Sequence, residues 1–183
     1  NAIKALREYG GINLPDVMAM ILVETDGFTE SETSFQISTV IEILRENGAT
    51  GVKIAQSSEE AEELWKVRKS IGSVAAQLGA NNVSEDVTVP ISKVPDLLAG
   101  ISAIVTHYRL PFVIFGHAGD GNLHPRIMFD RSDLDQMKRV RQAVEEIFKL
   151  ACDLDGTLTG EHGIGMAKAP YMTMEHGPVA MDV

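Results

Sequence analysis

Two histidines flank a glycine-rich turn in the stretch "GHAGDGNLH", Gly116–His124, which directly follows the apolar run "PFVIF". Asp120-Gly121 is a strong hairpin signal because glycine tolerates a positive φ angle. A hairpin here folds the chain back, and the imidazoles of His117 and His124 can then face one point. The simpler alternative is a turn that happens to lie between two unrelated histidines.

A second glycine-rich stretch, "TGEHGIG", Thr159–Gly165, contributes a carboxylate and a further histidine. With His117 and His124, Glu161 makes a set of two histidines and one carboxylate, which leaves coordination positions open on zinc, manganese or iron(II). We therefore expect the three side chains to converge on a common point. His162 stays neutral more readily beside a cation, and a neutral imidazole can act as a base.

Two other polar stretches have a plain interpretation and a functional one. Arg68, in "LWKVRKS", lies on a charged predicted helix and is most simply a solvated side chain, yet arginine also grips carboxylates with two parallel hydrogen bonds. In "SEDVTVP", Glu85 and Asp86 are adjacent on a predicted strand. We expect one of these acids to be buried and hydrogen-bonded and the other to be exposed.

Rival chemistries lack their structural context in this sequence. "DLDGTLT", Asp153–Thr159, matches the nucleophile loop of haloacid-dehalogenase-type phosphatases, but the residues after it are too few for that sheet. The glycines of "GDGN" lie in a predicted hairpin and not between a strand and a helix, where a dinucleotide fingerprint belongs. No nucleophile elbow supports a Ser/His/Asp triad.

The elements that must position these side chains follow from the apolar periodicity and the turn signals. Strands are predicted at 18–24, 51–56, 83–90, 111–119 and 122–130, and helices at 34–47, 57–79, 92–108 and 133–152. The stretch from Asp153 to Met172 is loop-like. This order predicts an α+β domain whose mostly antiparallel sheet is backed by helices on one face, with two related halves.

Composition limits the class of protein. The 183 residues are 44% hydrophobic and 23% charged, which is typical of a globular domain, and the net charge of −10 disfavours a nucleic-acid surface. No apolar run approaches the ~20 residues of a membrane helix. The lone cysteine, Cys152, fits a reducing compartment, and we expect a cytoplasmic protein. The chain starts without methionine, and we expect it to be a fragment of a longer one.

Four stretches in order, "LWKVRKS", "SEDVTVP", "GHAGDGNLHP" and "TGEHGIGMAK", resemble the C-terminal domain of FAD-linked oxidases of the vanillyl-alcohol-oxidase superfamily. The group concerned includes glycolate oxidase D subunits, D-lactate dehydrogenases and D-2-hydroxyglutarate dehydrogenases. The resemblance implies that residues 1–183 form the substrate (cap) domain, with ferredoxin-like halves. It also implies that FAD is bound mainly by an N-terminal domain that this chain lacks.

The resemblance further implies roles for individual residues: metal ligands at His117, His124 and Glu161, an active-site histidine at His162, a carboxylate-binding arginine at Arg68, and cofactor-binding positions at Asn122 and Gly163. In such an enzyme the cation lowers the pKa of the substrate hydroxyl, and His162 takes its proton. The α-hydrogen leaves as hydride to the flavin, which converts a 2-hydroxy acid to the 2-oxo acid.

Three positions depart from the family's pattern. Arg126 stands where relatives often have a smaller or neutral side chain, and Gly72 and Ser84 stand where dicarboxylate-using relatives carry more polar or basic groups. The departures at Gly72 and Ser84 favour a short substrate such as glycolate or lactate. The alternative function is a non-catalytic binding module that keeps the fold.

The partners implied are the FAD-binding domain of the same full-length chain and a small 2-hydroxy acid. Partner subunits or self-association through an uncovered apolar sheet face are also expected, and a partner could hold the protein at a membrane surface. We expect the chain alone to bind no FAD tightly and to have no turnover.

Overall fold

The computed structural model describes residues 2–182. The chain divides into two compact units, one formed by the chain up to Asp16 together with the chain from Ile71 onward, and one formed by Val17–Ser70. We refer to them as the sheet unit and the helical unit.

A four-stranded antiparallel sheet organises the sheet unit. Its strands are β1 (Asn81–Ser84), β2 (Val87–Thr88), β3 (Phe112–His117) and β4 (Asn122–Phe129). All three other strands pair antiparallel with β4, with β3 along one edge of it and β1 and β2 in turn along the other. The predicted α+β class and the antiparallel β3–β4 hairpin are confirmed.

The strand predicted at 83–90 is split in two. β1 and β2 keep one continuous register against β4, but the ladder is interrupted at Glu85 and Asp86. The physical reason is Pro125 in the centre of β4. Its carbonyl accepts from the Glu85 N–H at 2.9 Å, but proline has no N–H to return. The interruption brings Asp86 into the position described below.

Helices pack on this sheet, and the main hydrophobic core lies on one of its faces. The sheet unit contains α1 (Ala2–Glu8), α4 (Val94–His107), α5 (Leu134–Asp153), α6 (Gly165–Lys168) and α7 (Met172–Met181). Asp133 caps α5 by accepting from two backbone N–H groups of its first turn. The buried core between sheet and helices includes Leu97, Ile101 and Val105 of α4, Val144, Ile147 and Phe148 of α5, and Val87, Leu123 and Ile127 of the sheet.

The opposite face of the sheet carries the polar side chains of the site, together with the buried Val113 and Met128. Successive residues of a strand point to opposite faces, and directly paired residues of antiparallel strands share a face. The face turned away from Leu123 and Ile127 therefore carries, by register, Ser84, Thr88, Phe115, His117, Asn122, His124 and Arg126. Asp86, in the interruption between β1 and β2, is in register with this set.

The helical unit contains α2 (Glu30–Glu46) and the beginning of α3 (Ser58–Ala75). α2 starts earlier than predicted because the Thr29 hydroxyl caps it, accepting from the N–H of Glu32 at 3.3 Å. A capping residue sets a helix start more directly than apolar spacing does.

The strands predicted at 18–24 and 51–56 are wrong. Neither segment is a strand, and Met18 is fully exposed while Ile21 is 65% exposed. A strand is stable only when another strand completes its hydrogen bonds. Among the described residues of the helical unit there is no strand to supply them, and only one of the two expected halves carries a sheet.

The stretch from Asp153 to Met172, predicted as loop-like, is more ordered than expected. It contains α6, and α7 begins at its last residue. The part before α6 follows the free edge of β2, where Thr88 and Thr157 exchange backbone hydrogen bonds of 3.1 and 2.8 Å. Within residues 2–182, no helix combines the length and apolarity required to cross a bilayer.

Candidate metal and substrate site

The β3–β4 hairpin holds the first two candidate ligands. Its turn ends at Gly121, whose φ of 72° lies in the left-handed region, and a Cβ there would lie 1.9 Å from the Val89 carbonyl oxygen. Only glycine fits both constraints. The turn returns the chain such that the rings of His117 and His124 lie on one face with centroids 5.3 Å apart.

The loop along β2 brings the third candidate ligand to the same place. One carboxylate oxygen of Glu161, Oε1, lies 3.2 Å from Nε2 of His124 and 3.4 Å from Nε2 of His117. One ligand atom from each of the three residues lies within 4.8 Å of the other two. The His124 side chain is 5% exposed, whereas those of His117 and Glu161 are 44% and 54% exposed. The inner member of the group, His124, is therefore buried against the sheet, and the outer two members face solvent.

This donor set suits a borderline cation. Two imidazole nitrogens and one carboxylate oxygen are typical ligands of zinc, manganese and iron(II), at bond lengths of about 2.0–2.2 Å for zinc. The structure brings all three predicted ligands together, and their role as ligands stays a prediction.

His162 lies beside this group. Its ring stacks on that of His124, with centroids 4.9 Å apart and planes 6° from parallel. Its Nε2 lies 3.9 Å from Oε1 of Glu161, and its side chain is 46% exposed. A half-exposed imidazole beside this group has the position that a proton acceptor would require, and that role of His162 stays a prediction.

Burial and charge keep the inner imidazole neutral. Burial lowers the pKa of His124, as do the neighbouring rings of His162 and His117, and together they outweigh the opposite effect of Asp86 and Glu161. A neutral imidazole keeps the nitrogen lone pair that a metal requires.

Asp86 holds the backbone of the loop that carries Glu161 and His162, and this role was not predicted from the sequence. Its side chain is fully buried, and Oδ2 accepts from the backbone N–H groups of Gly160, Glu161 and His162 at 2.7, 2.9 and 2.8 Å. Burial opposes ionisation of this carboxyl. The N–H groups, the Asn122 amide and the Lys168 ammonium outweigh that effect and lower the pKa of Asp86 to about 2.

Glu85 is also buried, and the expectation that one of the two acids would be exposed is wrong. Glu85 is 7% exposed because Lys168 of α6 lies over it, with Nζ 3.9 Å from Oε2. Burial raises the pKa of Glu85 to about 7, and the charge of Asp86 adds to that effect while Lys168 opposes it. Burial lowers the pKa of Lys168 in turn. The only sequence signal was a lysine in the otherwise uncharged stretch "GIGMAKAP".

The two predicted cofactor-binding residues lie in different surroundings. Asn122 is 4% exposed, and its amide nitrogen donates to Oδ1 of Asp86 at 2.9 Å. Its amide oxygen is buried without a hydrogen-bond partner among the described residues. Gly163 is exposed in the loop after His162, with open space around it. Contact of either residue with FAD stays a prediction.

The three positions that depart from the family pattern lie together. Ser84 is paired with Arg126 across β1 and β4, and Nη1 of Arg126 donates to the carbonyl oxygen of Gly72 at 2.9 Å. The guanidinium carbon lies 5.8 Å from the centroid of the Phe115 ring, within cation–π range. Nε of Arg126 is buried and has no hydrogen-bond partner among the described residues. Because Arg126 is two residues from His124, both side chains stand on the same face.

Arg68 lies on α3 within the helical unit, where it is partly buried. Its predicted role in carboxylate binding stays a prediction.

The phosphatase alternative has no structural context. Asp153, its candidate nucleophile, is the last residue of α5 and pairs with Lys149 one turn earlier. In that class of enzyme the nucleophile follows a buried strand.

Comparison with known proteins finds one matching family and several similar sequences. The model of the family described as "FAD linked oxidases, C-terminal domain" matches residues 1–183. Glycolate oxidase subunit GlcD of Bacillus subtilis is 40% identical over 171 residues, which cover 93% of this chain and 36% of that protein. The probable mitochondrial D-lactate dehydrogenase of Danio rerio is 36% identical over 169 residues, or 91% of this chain and 34% of that protein.

A third relative, the D-2-hydroxyglutarate dehydrogenase of Stutzerimonas stutzeri, is 29% identical over 165 residues, which cover 88% of this chain and 35% of that protein. The chain thus spans about a third of the length of the curated relatives it matches. All three relatives are named for 2-hydroxy acids.

Proposed function

Since this chain belongs to the family of C-terminal domains of FAD-linked oxidases, we propose that it is the substrate and metal domain of a flavin-dependent 2-hydroxy-acid dehydrogenase. The observation that carries the proposal is the meeting of His117, His124 and Glu161 within 4.8 Å of one another, with His162 stacked beside them. The names of the relatives support the same class of substrate.

The donor set fits a divalent cation, because it offers two neutral-imidazole nitrogens and one carboxylate oxygen with an open outer face. When bound, such a cation polarises the hydroxyl oxygen of a hydroxy acid and lowers its pKa, while FAD accepts the α-hydrogen as hydride. Within this chain, His117, His124 and Glu161 would hold the metal.

The remaining residues handle the proton and the substrate carboxylate. His162 would accept the hydroxyl proton, since its half-exposed ring borders the ligand group. Arg68 would hold the carboxylate, because a guanidinium matches a carboxylate with two parallel hydrogen bonds. Loss of the hydroxyl proton and of the α-hydrogen as hydride converts the 2-hydroxy acid to the 2-oxo acid.

We infer that the substrate is short, glycolate or D-lactate. The Arg126 side chain is held by the Gly72 carbonyl and the Phe115 ring on the face that carries His124. There it fills space that a longer acid would need. A Cβ added at Gly72 would lie 3.4 Å from Nη1 of Arg126, at van der Waals contact, so Arg126 lies directly against this glycine.

Steady-state kinetics of the full-length protein test this function. With a dye as electron acceptor, we expect kcat/KM to be highest for glycolate or D-lactate and much lower for D-2-hydroxyglutarate. Arg126→Ala should reduce that difference by raising kcat/KM for D-2-hydroxyglutarate. Absence of turnover with every 2-hydroxy acid in a flavin-loaded preparation would contradict the proposal. A preference for D-2-hydroxyglutarate would contradict only the inferred substrate length.

A further inference from the structure

The Asp86 carboxylate holds the backbone of the loop that carries Glu161 and His162. Three consecutive N–H groups, those of residues 160–162, donate to the single oxygen Oδ2. The Thr159 hydroxyl donates to the same oxygen at 3.3 Å. Converging N–H groups of this kind usually bind an anionic ligand, and here the anion is a side chain of the protein itself. The direction in which Glu161 and His162 leave the backbone therefore depends on Asp86.

The second carboxylate oxygen faces the inner histidine. Oδ1 of Asp86 accepts from the Asn122 amide at 2.9 Å and lies 3.6 Å from Nδ1 of His124. That nitrogen is buried and has no hydrogen-bond partner among the described residues, and the Asp86 carboxylate is the charged group that faces it. Because the carboxylate is an acceptor, it favours the tautomer with the proton on Nδ1 and leaves the lone pair on Nε2, the atom that faces Glu161.

Asp86 is itself fixed in place. Nζ of Lys168 donates to the backbone oxygens of Asp86 and Leu158, both at 2.8 Å, and so ties the interrupted strand to the loop. Asp86 could also form a metal-binding group with His124 and His162, whose candidate ligand atoms likewise lie within 4.8 Å of one another. However, four donors already converge on Oδ2. Oδ1 accepts from the Asn122 amide and has Nδ1 of His124 3.6 Å away for its remaining lone pair. A metal on Asp86 would therefore compete with the loop or with His124 for these oxygens.

We propose that Asp86 is the positioning residue of this site: one oxygen aims Glu161 and His162 through their backbone, and the other sets the tautomer of His124. This inference rests on the proposed function. Asp86 is not one of the proposed ligands, but it would control how tightly His117, His124 and Glu161 bind a metal. Carboxylates hydrogen-bonded to metal-binding histidines have this effect in other metal sites.

The first experiment compares Asp86→Asn with Glu85→Gln in the full-length protein. Both changes replace a buried carboxylate with an amide of the same shape, and both residues adjoin Lys168, but only Asp86 contacts the loop and His124. By chelator competition with Zn²⁺ on the metal-free protein, we expect Asp86→Asn to weaken binding about 10–100-fold. The Zn²⁺ affinity of Glu85→Gln should stay close to that of the wild type. Wild-type Zn²⁺ affinity in folded Asp86→Asn would overturn the inference.

The second experiment needs no Asp86 variant and keeps the inference testable if Asp86→Asn does not fold. Nitrogen NMR of wild-type, histidine-labelled, metal-free protein reports the tautomer of His124, assigned with His124→Gln. We expect the proton on Nδ1. A proton on Nε2 would overturn the inference. Wild-type protein that takes up no Zn²⁺ contradicts the metal part of the proposed function, and the tautomer measurement then decides the role of Asp86 by itself.

Discussion

Among single residues, the candidate ligands differ from His162 in what they contact. His117 and Glu161 contribute atoms to the converging group, whereas His162 stacks on its edge. In the full-length protein, we expect His117→Ala or Glu161→Ala to lower metal content and activity together. His162→Ala should keep the metal and lose about 10²–10⁴-fold in kcat, the usual contribution of a general base. Metal analysis and rates on the same preparations provide the measurement.

His107→Ala is the matched control for these variants, because His107 is exposed at the end of α4 and contacts Tyr108 rather than the site. This substitution should change neither the metal content nor the activity. Loss of metal in His162→Ala would instead make that histidine a ligand, and full metal content in His117→Ala would remove it from the set.

Glu85 gives a prediction about pH and stability. Its pKa is raised to about 7 in the folded protein by burial, from an ordinary value of 4.5, and the folded state therefore holds its proton more tightly than the unfolded state does. The contribution of Glu85 to the free energy of unfolding then falls as the pH rises from about 4.5 to about 7. Glu85→Gln removes this loss and should stabilise the protein by on the order of 3 kcal/mol above pH 7, and progressively less towards pH 4.5.

Urea unfolding of Glu85→Gln and wild type across this pH range measures the difference. Glu62→Gln, on the exposed side of α3, is the control. A difference that shrinks as the pH rises would contradict the assigned direction of the Glu85 shift.

The same residues show which parts of the site could be predicted from the sequence. His117, His124, Glu161 and His162 stand out because polar, ligand-type side chains among glycines have few structural reasons to be there. Lys168 did not stand out, because burial of a lysine depends on α6 lying over Glu85 and on two carbonyl oxygens that only the folded loop presents. That information is tertiary and has no local pattern.

At the scale of the elements, the β3–β4 hairpin depends on one backbone conformation. Gly121→Ala places a Cβ at a φ of 72° and 1.9 Å from the Val89 oxygen. The left-handed backbone alone costs about 1–2 kcal/mol, and the close contact with a backbone atom adds to it. We expect the free energy of unfolding to fall by at least this amount, as measured by urea denaturation.

Gly119→Ala is the control within the same turn, since a Cβ there meets nothing within 4 Å. It should change stability little. Equal effects of the two substitutions would mean that the hairpin does not depend on the conformation of Gly121.

The strands show why local pattern succeeds in one unit and fails in the other. The apolar run at 112–115 and the turn after it are sufficient to predict β3, because its partner β4 follows directly in the chain. The run at 18–24 has a similar composition, but no neighbouring segment among the described residues pairs with it. The break in the strand at 83–90 also depends on a partner, Pro125, which is 40 residues away in sequence.

At the scale of the whole molecule, charge bears on how an anionic substrate is attracted. The chain carries a net charge of −10, and a 2-hydroxy acid is itself an anion at neutral pH. Charges more than about 8 Å from a surface site are largely screened at physiological salt. Binding of the proposed substrate should therefore depend on the cation proposed for the ligand group and on the guanidinium proposed to hold the carboxylate, that of Arg68, rather than on the field of the whole chain.

The exposed site also indicates what this chain does when isolated. A dinucleotide pyrophosphate binds where a glycine-rich turn joins a strand to the N-terminus of a helix. In this chain the turn "GDGN" joins two antiparallel strands, and "GIG" leads into a helix of only four residues. The side chains of His117, Glu161 and His162 remain about half exposed. We therefore expect residues 1–183, purified alone and folded by circular dichroism, to be colourless and without turnover.

The full-length protein, purified in parallel, is the control and should be yellow. Added FAD should keep its free fluorescence in the presence of the isolated chain, because residues 2–182 form no pyrophosphate cradle to hold it, and should lose it in the presence of flavin-free full-length protein. Stoichiometric flavin absorbance in the isolated chain would contradict this prediction and would mean that the open face of the site binds the cofactor without help from the rest of the protein.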